Sequence, residues 1–342
     1  MNKILIYLIL IVFTGSSLAE ELLIVHTNDF HGHIAEQKDY AGAARIAAFV
    51  RELRANHPLV LFVDAGDAIT GTPVSSLFEG EAIFDVMNAM GYDVGLLGNH
   101  EFDYGADKIT RFREIAKFPL LGATAFDSQD QVLSDSPFII IERGTLKIGI
   151  IGILTDTTPL LITPHGNKNL TFKSPAEVLK QLIPAIKPKV DFLMVLSHTG
   201  FTEDIALAKQ FQEIDLFVGG HSHTFNKHPF NTGRNRVVQA DHYGRHLGLV
   251  KINIDPKRGP IEFTGDLLAA DELPQPDANV LSLVESYESQ VRDRVDTPIW
   301  KTDKRLSEEE LQPILERILA RYVNADLGFY NSGGIRDNIE AG

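Results

Sequence analysis

The sequence predicts a layered α/β domain followed by the beginning of a second α/β domain, and three observations support this fold class. Short apolar runs rich in valine and isoleucine alternate with amphipathic stretches from Leu22 to about Ile254, as strands and helices do in layered α/β domains. Hydrophobic residues make up 44% and charged residues 23% of the chain, an ordinary globular composition that supports a sizeable core. Polar clusters directly follow several apolar runs, where ligand-binding residues lie in α/β sheets.

Residues 1–19 are predicted to be a signal peptide. Lys3 supplies a positive charge, an apolar run covers residues 4–15, and the tripeptide SLA at 17–19 resembles a cleavage site. The alternative is a membrane anchor, but the run is shorter than the about 20 residues that span a bilayer. We therefore expect a mature protein that begins near Glu20, is periplasmic or secreted, and has no membrane anchor.

Residues 20–275 carry most of the predicted strands and helices. Strands are predicted at Leu22–His26, Leu59–Val63, Val94–Leu97, Phe138–Glu142, Ile148–Ile153, Phe192–Leu196, Leu216–Val218 and Leu249–Ile254. Helices are predicted at about 43–55, 76–90, 105–117, 175–186 and 202–212. The turn at Arg143-Gly144 predicts a hairpin between the two strands that it joins.

The remaining chain is predicted to contain a connector and part of another domain. Residues 256–276 are turn-rich and polar, and a connector helix is predicted at 276–295. Residues 296–342 are predicted to start the second domain, with a helix at 306–323 that Ser307 and Glu310 open as a capping box. A strand at Leu327–Tyr330 and a glycine-rich turn follow.

Five polar clusters follow predicted strands. They are HTNDFHGH from His26, DAGD from Asp64, GNHEFD from Gly98, SHTG from Ser197 and GGHSHT from Gly219. Because ligands bind beyond the carboxyl ends of the strands in an open α/β sheet, we predict that these clusters meet at one end of one sheet.

These clusters contain enough oxygen and imidazole ligands for two metal ions. The candidates are Asp29, His31, Asp67, Asn99, His198, His221 and His223. The set is too large for one zinc ion and suits two metals that share a bridging carboxylate. If the backbone is extended, each D-x-H or H-x-H pair presents both side chains on one face.

Charge and composition restrict the partners. The formal net charge of −14 at pH 7 argues against nucleic-acid polymers and anionic membrane surfaces, which an acidic protein repels. Two divalent cations bound by Asp29 and Asp67 leave a residual charge of about +2 for a phosphate, since Asn99 and neutral histidines add none. The sequence has Cys 0, so metal ligands must be His, Asp, Glu or Asn.

In this order, the motifs D-x-H, G-D, G-N-H-E, H and G-H-x-H resemble the calcineurin-like metallophosphoesterase superfamily. The longer forms HTNDFHG, GNHEFDYG and GGHSHT narrow the resemblance to its 5′-nucleotidase/UDP-sugar hydrolase family, over residues from about 22 to 342. The resemblance implies mixed β-sheets flanked by helices and a dinuclear metal centre. It implies one metal on Asp29, His31, Asp67 and His223, and the other on Asp67, Asn99, His198 and His221.

The resemblance also implies a mechanism. By this resemblance, a hydroxide held by two metals would attack phosphorus in line, and no covalent phosphoenzyme would be needed. His100 would stabilise charge on the phosphoryl group and the leaving oxygen, as its counterpart in the family does. Asp103, three residues further on, orients the imidazole of His100; the alternative is that Asp103 caps the following helix.

A last motif concerns the substrate. The stretch NSGGIR at 331–336 resembles the family motif NGGGIR, with Ser332 in place of glycine, and implies that Asn331 and Arg336 contact the nucleotide. The alternative is a glycine-rich turn with a solvated arginine. Family members continue into a long domain with two aromatic side chains that sandwich the base, so we expect a truncated C-terminal domain here, or a separate chain that supplies it.

From these features we expect an exported hydrolase that converts nucleoside 5′-monophosphates, and also UDP-sugars, with zinc or manganese as metals and cobalt or iron as alternatives. The alternative activities are a 2′,3′-cyclic-nucleotide phosphodiesterase and a thiosulfohydrolase-like enzyme. The alternative that is not an enzyme is a non-catalytic metal- or nucleotide-binding remnant. Histidines outside the motifs, including His242 and His246, are predicted to lie on loops or surfaces.

Overall fold

The computed structural model of the chain describes residues 19–255, 259–295, 300–330, 334–335 and 338–342. The predicted signal peptide, apart from Ala19, lies outside the described residues, and so do Asn331 and Arg336. Within these ranges, no helix combines the length and the apolar character of a transmembrane segment.

The described residues form an alternation of strands and helices. The strands are β1 Glu20–Thr27, β2 Val60–Asp64, β3 Gly95–Leu96, β4 Leu120–Leu121, β5 Ala125–Phe126, β6 Phe138–Arg143, β7 Leu146–Leu154, β8 Thr171–Phe172, β9 Phe192–His198, β10 Leu216–Gly219, β11 Phe230–Asn231, β12 Arg236–Val238, β13 His246–Asp255 and β14 Gly259–Ala269. The α-helices are α1 Gly42–Asn56, α2 Pro73–Leu77, α3 Glu81–Met90, α4 Ala106–Ile115, α5 Pro175–Ile186, α6 Phe201–Gln210, α7 Ala278–Val295 and α8 Glu308–Tyr322.

Two mixed sheets contain the longer strands. The first has the order β14-β13-β1-β2, with β1 and β2 parallel and the other neighbours antiparallel. The second has the order β11-β12-β10-β9-β7-β6, in which β12, β10, β9 and β7 are parallel. A bridge between Val63 and Val94 places the short strand β3 beside β2.

The two sheets share a core and carry helices on their outer sides. Leu22 and Ile24 of β1 pack with Ile148 of β7 and Met194 of β9 between the sheets. Leu23 and Val25, on the other face of β1, pack against α1, α3 and α7. The outer face of the second sheet packs against α5 and α6. Because the middle of β1 is covered on both faces, Leu22–Val25 form a continuous apolar run.

The strands and helices predicted for residues 20–275 are largely confirmed, but the prediction that the five polar clusters lie at one end of one sheet is wrong. The clusters after β1 and β2 belong to the first sheet, whereas those after β9 and β10 belong to the second. The packed sheets bring the carboxyl ends of these four strands to the same side of the molecule. Apolar runs predict strands, but they do not indicate which sheet each strand joins.

Three further expectations need correction. The helix at 76–90 is two helices, α2 and α3, separated by Gly80, whose φ of 85° is left-handed and where a Cβ atom would lie 2.9 Å from Ile69. The turn-rich stretch 256–276 contains the strand β14, which pairs with β13 as an edge strand. Leu327–Tyr330 is not a strand, and it has no partner strand among the described residues.

The helices predicted at 276–295 and 306–323 are both present, as α7 and α8. Val280 and Val284 of α7 are buried against the first domain, and Tyr287 donates a hydrogen bond to Asp85 at 2.9 Å. Ser307 and Glu310 form the predicted capping box of α8. Both helices therefore begin and end close to where the sequence places them.

Candidate metal centre

The carboxyl ends of β1, β2, β3, β9 and β10 surround one cavity of about 520 Å³. The candidate ligands that line it are His31, Asp67, Asn99, His221 and His223, together with His100. Asp29 and His198 lie behind this lining and are 0% exposed. The structure thus brings together residues from all five polar clusters of the sequence.

Among the described residues, three overlapping groups of side chains are close enough to bind an ion. The first is Asp29, His31 and His223, the second is Asp67, His198 and His221, and the third is His31, Asp67 and His100; within each group the ligand atoms lie within 4.8 Å of one another. His223 Nε2 lies 3.4 Å from Asp29 Oδ1, and His198 Nε2 lies 2.9 Å from Asp67 Oδ2. The first two groups correspond to the two ligand sets that the resemblance implies, which add Asp67 to the first and Asn99 to the second. The third group joins His31 and Asp67 to His100, which the resemblance does not count as a ligand.

Five of the candidate ligands have a left-handed backbone, so the D-x-H and H-x-H pairs do not meet the condition of an extended backbone under which both side chains share one face. The φ angles are 49° at Asp29 and His31, 55° at Asp67, 75° at His221 and 52° at His223. A residue other than glycine pays about 1–2 kcal/mol for this conformation, because its Cβ approaches the following carbonyl oxygen. Such strain persists only where surrounding contacts hold it, and it is typical of functional sites.

Backbone hydrogen bonds hold two of the strained loops against each other. Asp29 N donates to Gly66 O at 2.9 Å, and His31 N donates to Asp67 O at 3.0 Å. Gly32 N donates to the next carbonyl of the second loop at 2.8 Å. The loops after β1 and β2 are therefore paired residue by residue, which brings the carboxylates of Asp29 and Asp67 to the same cavity.

The carboxylate of Asp29 also connects the two sheets. It accepts hydrogen bonds from Asn28 Nδ2 at 2.7 Å and from His221 N at 2.9 Å. Asn28 in turn donates to Asp241 O at 2.6 Å and accepts from Ala240 N at 2.8 Å. The end of β1 is thus fastened to the loops that follow β10 and β12.

Hydrogen bonds to carbonyl groups determine the tautomers of two histidines. His198 Nδ1 donates to Ala65 O at 2.8 Å, and His31 Nδ1 donates to Thr70 O at 2.9 Å. Because a carbonyl oxygen can only accept, Nδ1 carries a proton in both rings, and when a ring is neutral its lone pair is on Nε2. Both Nε2 atoms face the carboxylates of the centre, as metal-ligating imidazoles do when their other nitrogen is held by the protein.

His100 and Asp103 form a close pair at the mouth of the cavity. His100 Nδ1 lies 2.7 Å from Asp103 Oδ2, which also accepts a hydrogen bond from Thr70 Oγ1 at 3.2 Å. The backbone N–H of His100 donates to Asp67 Oδ1 at 2.8 Å. The contact between His100 and Asp103 that the sequence predicts is therefore present, and Asp103 is the C-cap of a short 3₁₀ helix over His100–Phe102.

Glu101 is a residue of the site that the sequence motifs did not single out. Its carboxylate is 0% exposed and accepts hydrogen bonds from Gly98 N at 2.7 Å, Asp67 N at 3.1 Å and Ala68 N at 2.9 Å. It thereby joins the loop of Asp67 to the loop of Asn99. In the sequence, the only available signal for Glu101 is its place in GNHEFD, directly after the candidate His100 and two residues before the candidate Asp103.

The loop between β12 and β13 supplies further residues of the site that the sequence did not predict. The ring of His242 stacks on the ring of His223, with centroids 4.5 Å apart and planes at 17°. His242 Nδ1 lies 2.6 Å from a carboxylate oxygen of Asp241. Tyr243 contacts the ring of His31 edge-on at 5.6 Å. His242 lies on a loop as predicted, but its ring packs against the candidate ligand His223.

The charges and orphaned atoms of the centre fit divalent cations. Burial raises the pKa of Asp67, but the positive charges of the facing imidazoles of His198 and His100, when these rings are protonated, lower it more, and the net pKa is well below its usual range. Within the described residues, Asn99 Oδ1 is buried and has no hydrogen-bond partner. A buried amide oxygen beside two carboxylates and several imidazole nitrogens is the donor set of a metal site with oxygen and nitrogen ligands.

A family comparison agrees with this geometry. The model of the calcineurin-like phosphoesterase family matches residues 22–225, which include all the candidate ligands and end just after His223. The chain belongs to the calcineurin-like phosphoesterase family. Membership of this family implies divalent metal ions, and the Asp and His groups of the cavity are the candidates to bind them.

Several relatives in this family are 5′-nucleotidases. A snake venom 5′-nucleotidase from Gloydius brevicauda is 34% identical in an alignment that covers 82% of this chain and 53% of the relative. A 5′-nucleotidase from Vibrio vulnificus is 28% identical, over 94% of this chain and 69% of the relative. The chain thus spans about half the length of the venom relative.

The fold is also found in a solved structure. The crystal structure of a 5′-nucleotidase precursor from Thermus thermophilus aligns with a TM-score of 0.83 and 27% identity, over 94% of this chain and 71% of that chain. Mixed sheets flanked by helices, the fold that the motifs imply, are therefore confirmed for this phosphoesterase.

Proposed function

We propose that this chain is the metal-binding part of an exported dinuclear hydrolase that cleaves nucleoside 5′-monophosphates to nucleoside and phosphate. The observation that carries the proposal is the pair of ligand groups that adjoin in one cavity, with His100 at its edge. The similarity to 5′-nucleotidases from Gloydius brevicauda and Vibrio vulnificus supports the substrate class. UDP-sugars are further candidate substrates.

We assign the residues of the centre as the sequence predicts. Asp29, His31, Asp67 and His223 bind one metal, and Asp67, Asn99, His198 and His221 bind the other. The distance of 4.0 Å between His31 Nε2 and Asp67 Oδ2 supports a shared carboxylate, because it brings Asp67 within reach of the first ligand group. Zinc or manganese is the proposed metal, and cobalt or iron also suit oxygen and imidazole ligands.

The proposed reaction joins a water oxygen to phosphorus and breaks the bond between phosphorus and the ester oxygen. Two divalent cations, when bound, supply positive charge for the phosphate and lower the pKa of a bound water. The negative charge of the leaving oxygen requires a proton or a hydrogen bond. His100 provides it from Nε2, since Nδ1 faces Asp103 at 2.7 Å.

The remaining parts of the proposal concern organisation and location. We propose a signal peptide at 1–19, a phosphoesterase domain at 20–275, a connector helix at 276–295 and a substrate-binding segment from 296. Gly334 lines the same cavity as His100 and supports the placement of that segment beside the centre. The contacts of Asn331 and Arg336 with the nucleotide, and a separate chain with further substrate contacts, stay predictions. A periplasmic or secreted location rests on the predicted signal peptide.

A substrate panel with controlled metal content tests this function. Purified protein is stripped with a chelator, and phosphate release from AMP, UDP-glucose and a 2′,3′-cyclic nucleotide is measured before and after Zn²⁺ or Mn²⁺ is added. We expect AMP hydrolysis only in the metal-loaded protein. Equal rates with and without metal contradict the metal centre, and preferential hydrolysis of the cyclic nucleotide contradicts the substrate. If no substrate is cleaved although metal binds, the chain is the non-catalytic alternative.

A further inference from the structure

Gln239, which follows β12, makes hydrogen bonds to both ends of the loop over residues 220–224, which we call the H-x-H loop. Its side chain is completely buried, with 0% exposed. Nε2 donates to Gly220 O at 2.5 Å, and Oε1 accepts from Thr224 N at 2.6 Å and from Ser222 Oγ at 2.9 Å. One amide group therefore holds the first, middle and last residues of the loop.

The partners determine which end of the amide faces which residue. The backbone N–H of Thr224 can only donate, so the oxygen of Gln239 must face it. The carbonyl of Gly220 can only accept, so the NH₂ group must face that residue. A carboxylate at this position lacks the donor for Gly220, and an apolar side chain lacks both groups. The site therefore requires an amide.

The H-x-H loop has a backbone that needs such support. His221 and His223 are both left-handed, with φ angles of 75° and 52°, within three consecutive residues. The intervening Ser222 N donates to Gly220 O at 3.0 Å, which makes the loop a tight turn. Without contacts to the rest of the domain, non-glycine residues would relax from this conformation.

The loop supplies one ligand to each of the two groups. His223 lies in the group with Asp29, and His221 lies in the group with Asp67. A change in the path of the loop therefore moves imidazoles of both groups at once. The three hydrogen bonds of Gln239 go to the residues around the two imidazoles, so that Gln239 acts on the backbone that carries them.

We propose that Gln239 is a positioning residue that holds the H-x-H loop in its strained conformation and thereby sets the metal affinity of both ligand groups. The inference rests on the dinuclear centre of the proposed function. It adds a residue outside the five polar clusters, because Gln239 lies in the run VVQAD, beyond the last of them in the chain.

Two variants test the inference with Co²⁺ as the probe. Gln239→Glu keeps the size and the acceptor but places an oxygen beside the carbonyl of Gly220. Gln239→Met keeps the length and removes every hydrogen bond. We expect Co²⁺ to bind about 10- to 100-fold more weakly to both variants, as when other outer partners of metal ligands are removed. We also expect the visible absorption of bound Co²⁺ to change, since the imidazole geometry changes.

Gln212 offers a matched control. It also holds a loop by both ends of its amide, because Nε2 donates to Ala208 O at 2.6 Å and Oε1 accepts from Arg234 N at 3.0 Å. It does not line the metal cavity, and its hydrogen bonds go to residues other than the candidate ligands. Gln212→Glu and Gln212→Met are expected to keep the Co²⁺ affinity and spectrum of the wild type, whatever they cost in thermal stability.

The outcomes separate this inference from the proposed function. The inference is supported if Co²⁺ binding is weaker and the spectrum is altered in the Gln239 variants but not in the Gln212 variants. Wild-type affinity and spectrum in both Gln239 variants overturn it, and so does an equal loss in the Gln212 variants, which indicates a general effect of loop destabilisation. If the wild-type protein binds no Co²⁺, the metal centre itself is wrong. Thermal unfolding of each metal-free variant establishes that the compared proteins are folded.

Discussion

The metal centre and the segment after residue 300 differ sharply in how their residues are held. In the centre, Asp29 and His198 are 0% exposed and each makes hydrogen bonds to a neighbouring loop. After residue 300, Tyr322 is 87% exposed and Phe329 is 85% exposed, and the described core consists of a small cluster around Leu311. The residues proposed for hydrolysis are thus held by many contacts within the first domain, whereas the segment proposed for substrate binding is held by few.

This difference indicates that metal binding and chemistry depend on the contacts around the centre, and that the segment after residue 300 contributes little to the stability of the folded domain. Strained backbone at the ligands is stable only because adjoining loops and buried side chains hold it. Changes in the centre should therefore alter metal binding and chemistry strongly. Changes at exposed positions of the later segment should leave the folded domain almost unaffected.

The largest expected loss of activity is at Asp67, the carboxylate that we propose the two metals share. Asp67→Asn removes one negative charge between the two ligand groups, and we expect phosphate release from AMP to fall by more than about 1000-fold, beyond the about 10- to 100-fold typical of outer partners of metal ligands. Metal analysis should show less bound metal than in the wild type. Far-ultraviolet circular dichroism serves as the folding control. Full metal content with unchanged activity would contradict the role of Asp67.

A smaller loss of activity is expected when His100, at the edge of the centre, is replaced. His100→Asn removes the proposed hydrogen bond to the leaving oxygen but keeps the backbone N–H that Asp67 accepts. We expect kcat for AMP to fall by about 100-fold or more, the range of general acid–base contributions. Metal content should equal that of the wild type. Loss of metal together with activity would make His100 a ligand instead of an acid. Asp103→Asn should give a smaller decrease in the same direction.

The pH dependence of stability extends the comparison to the domain core. Burial lowers the pKa of His26 to about 3 from its usual 6.5. The unfolded chain therefore binds a proton below pH 6.5 that the folded chain does not, and stability present above this pH is lost as the pH falls. We expect a loss of about 2 kcal/mol between pH 7.5 and 5 from this residue.

Urea denaturation of metal-free protein at several pH values measures this effect. His26→Leu removes the titrating group, so its free energy of unfolding should fall less steeply than that of the wild type between pH 7.5 and 5. A comparison at pH 8, where the imidazole is neutral in both states, isolates the effect of packing. Parallel pH profiles for both proteins would show that His26 does not contribute.

The smallest expected effect is a change in the free energy of unfolding, for a substitution in the segment after residue 300. Phe329→Ser at an exposed position should change the free energy of unfolding of the domain by no more than about 0.5 kcal/mol. Phe62→Ala, at a position that is 0% exposed in β2, is the control and should cost about 3–5 kcal/mol. Urea denaturation measures both. If Phe329→Ser destabilises the domain by a similar amount, the two regions are coupled and our comparison is wrong.

Local chemistry explains why so much of the fold was predictable. The apolar run of β1 is buried on both faces, and Ser307 and Glu310 satisfy the first N–H groups of α8, so these elements follow from neighbouring residues. The strand β14 was missed because its outer residues are exposed on an edge and turn-forming residues surround it. Leu327–Tyr330 has β-forming residues, but a strand needs a partner to pair with.

The sequence by itself determined which residues are the candidates for the chemistry, because carboxylates, amides and imidazoles directly after apolar strands are recognisable from type and order alone. The tertiary structure decided how they meet. It divided the strands between two sheets, gave Asp29, His31 and His223 a left-handed backbone, and placed Glu101 and Gln239 under the ligand loops. These features depend on contacts between residues far apart in the chain, and such contacts leave no local pattern in a single sequence.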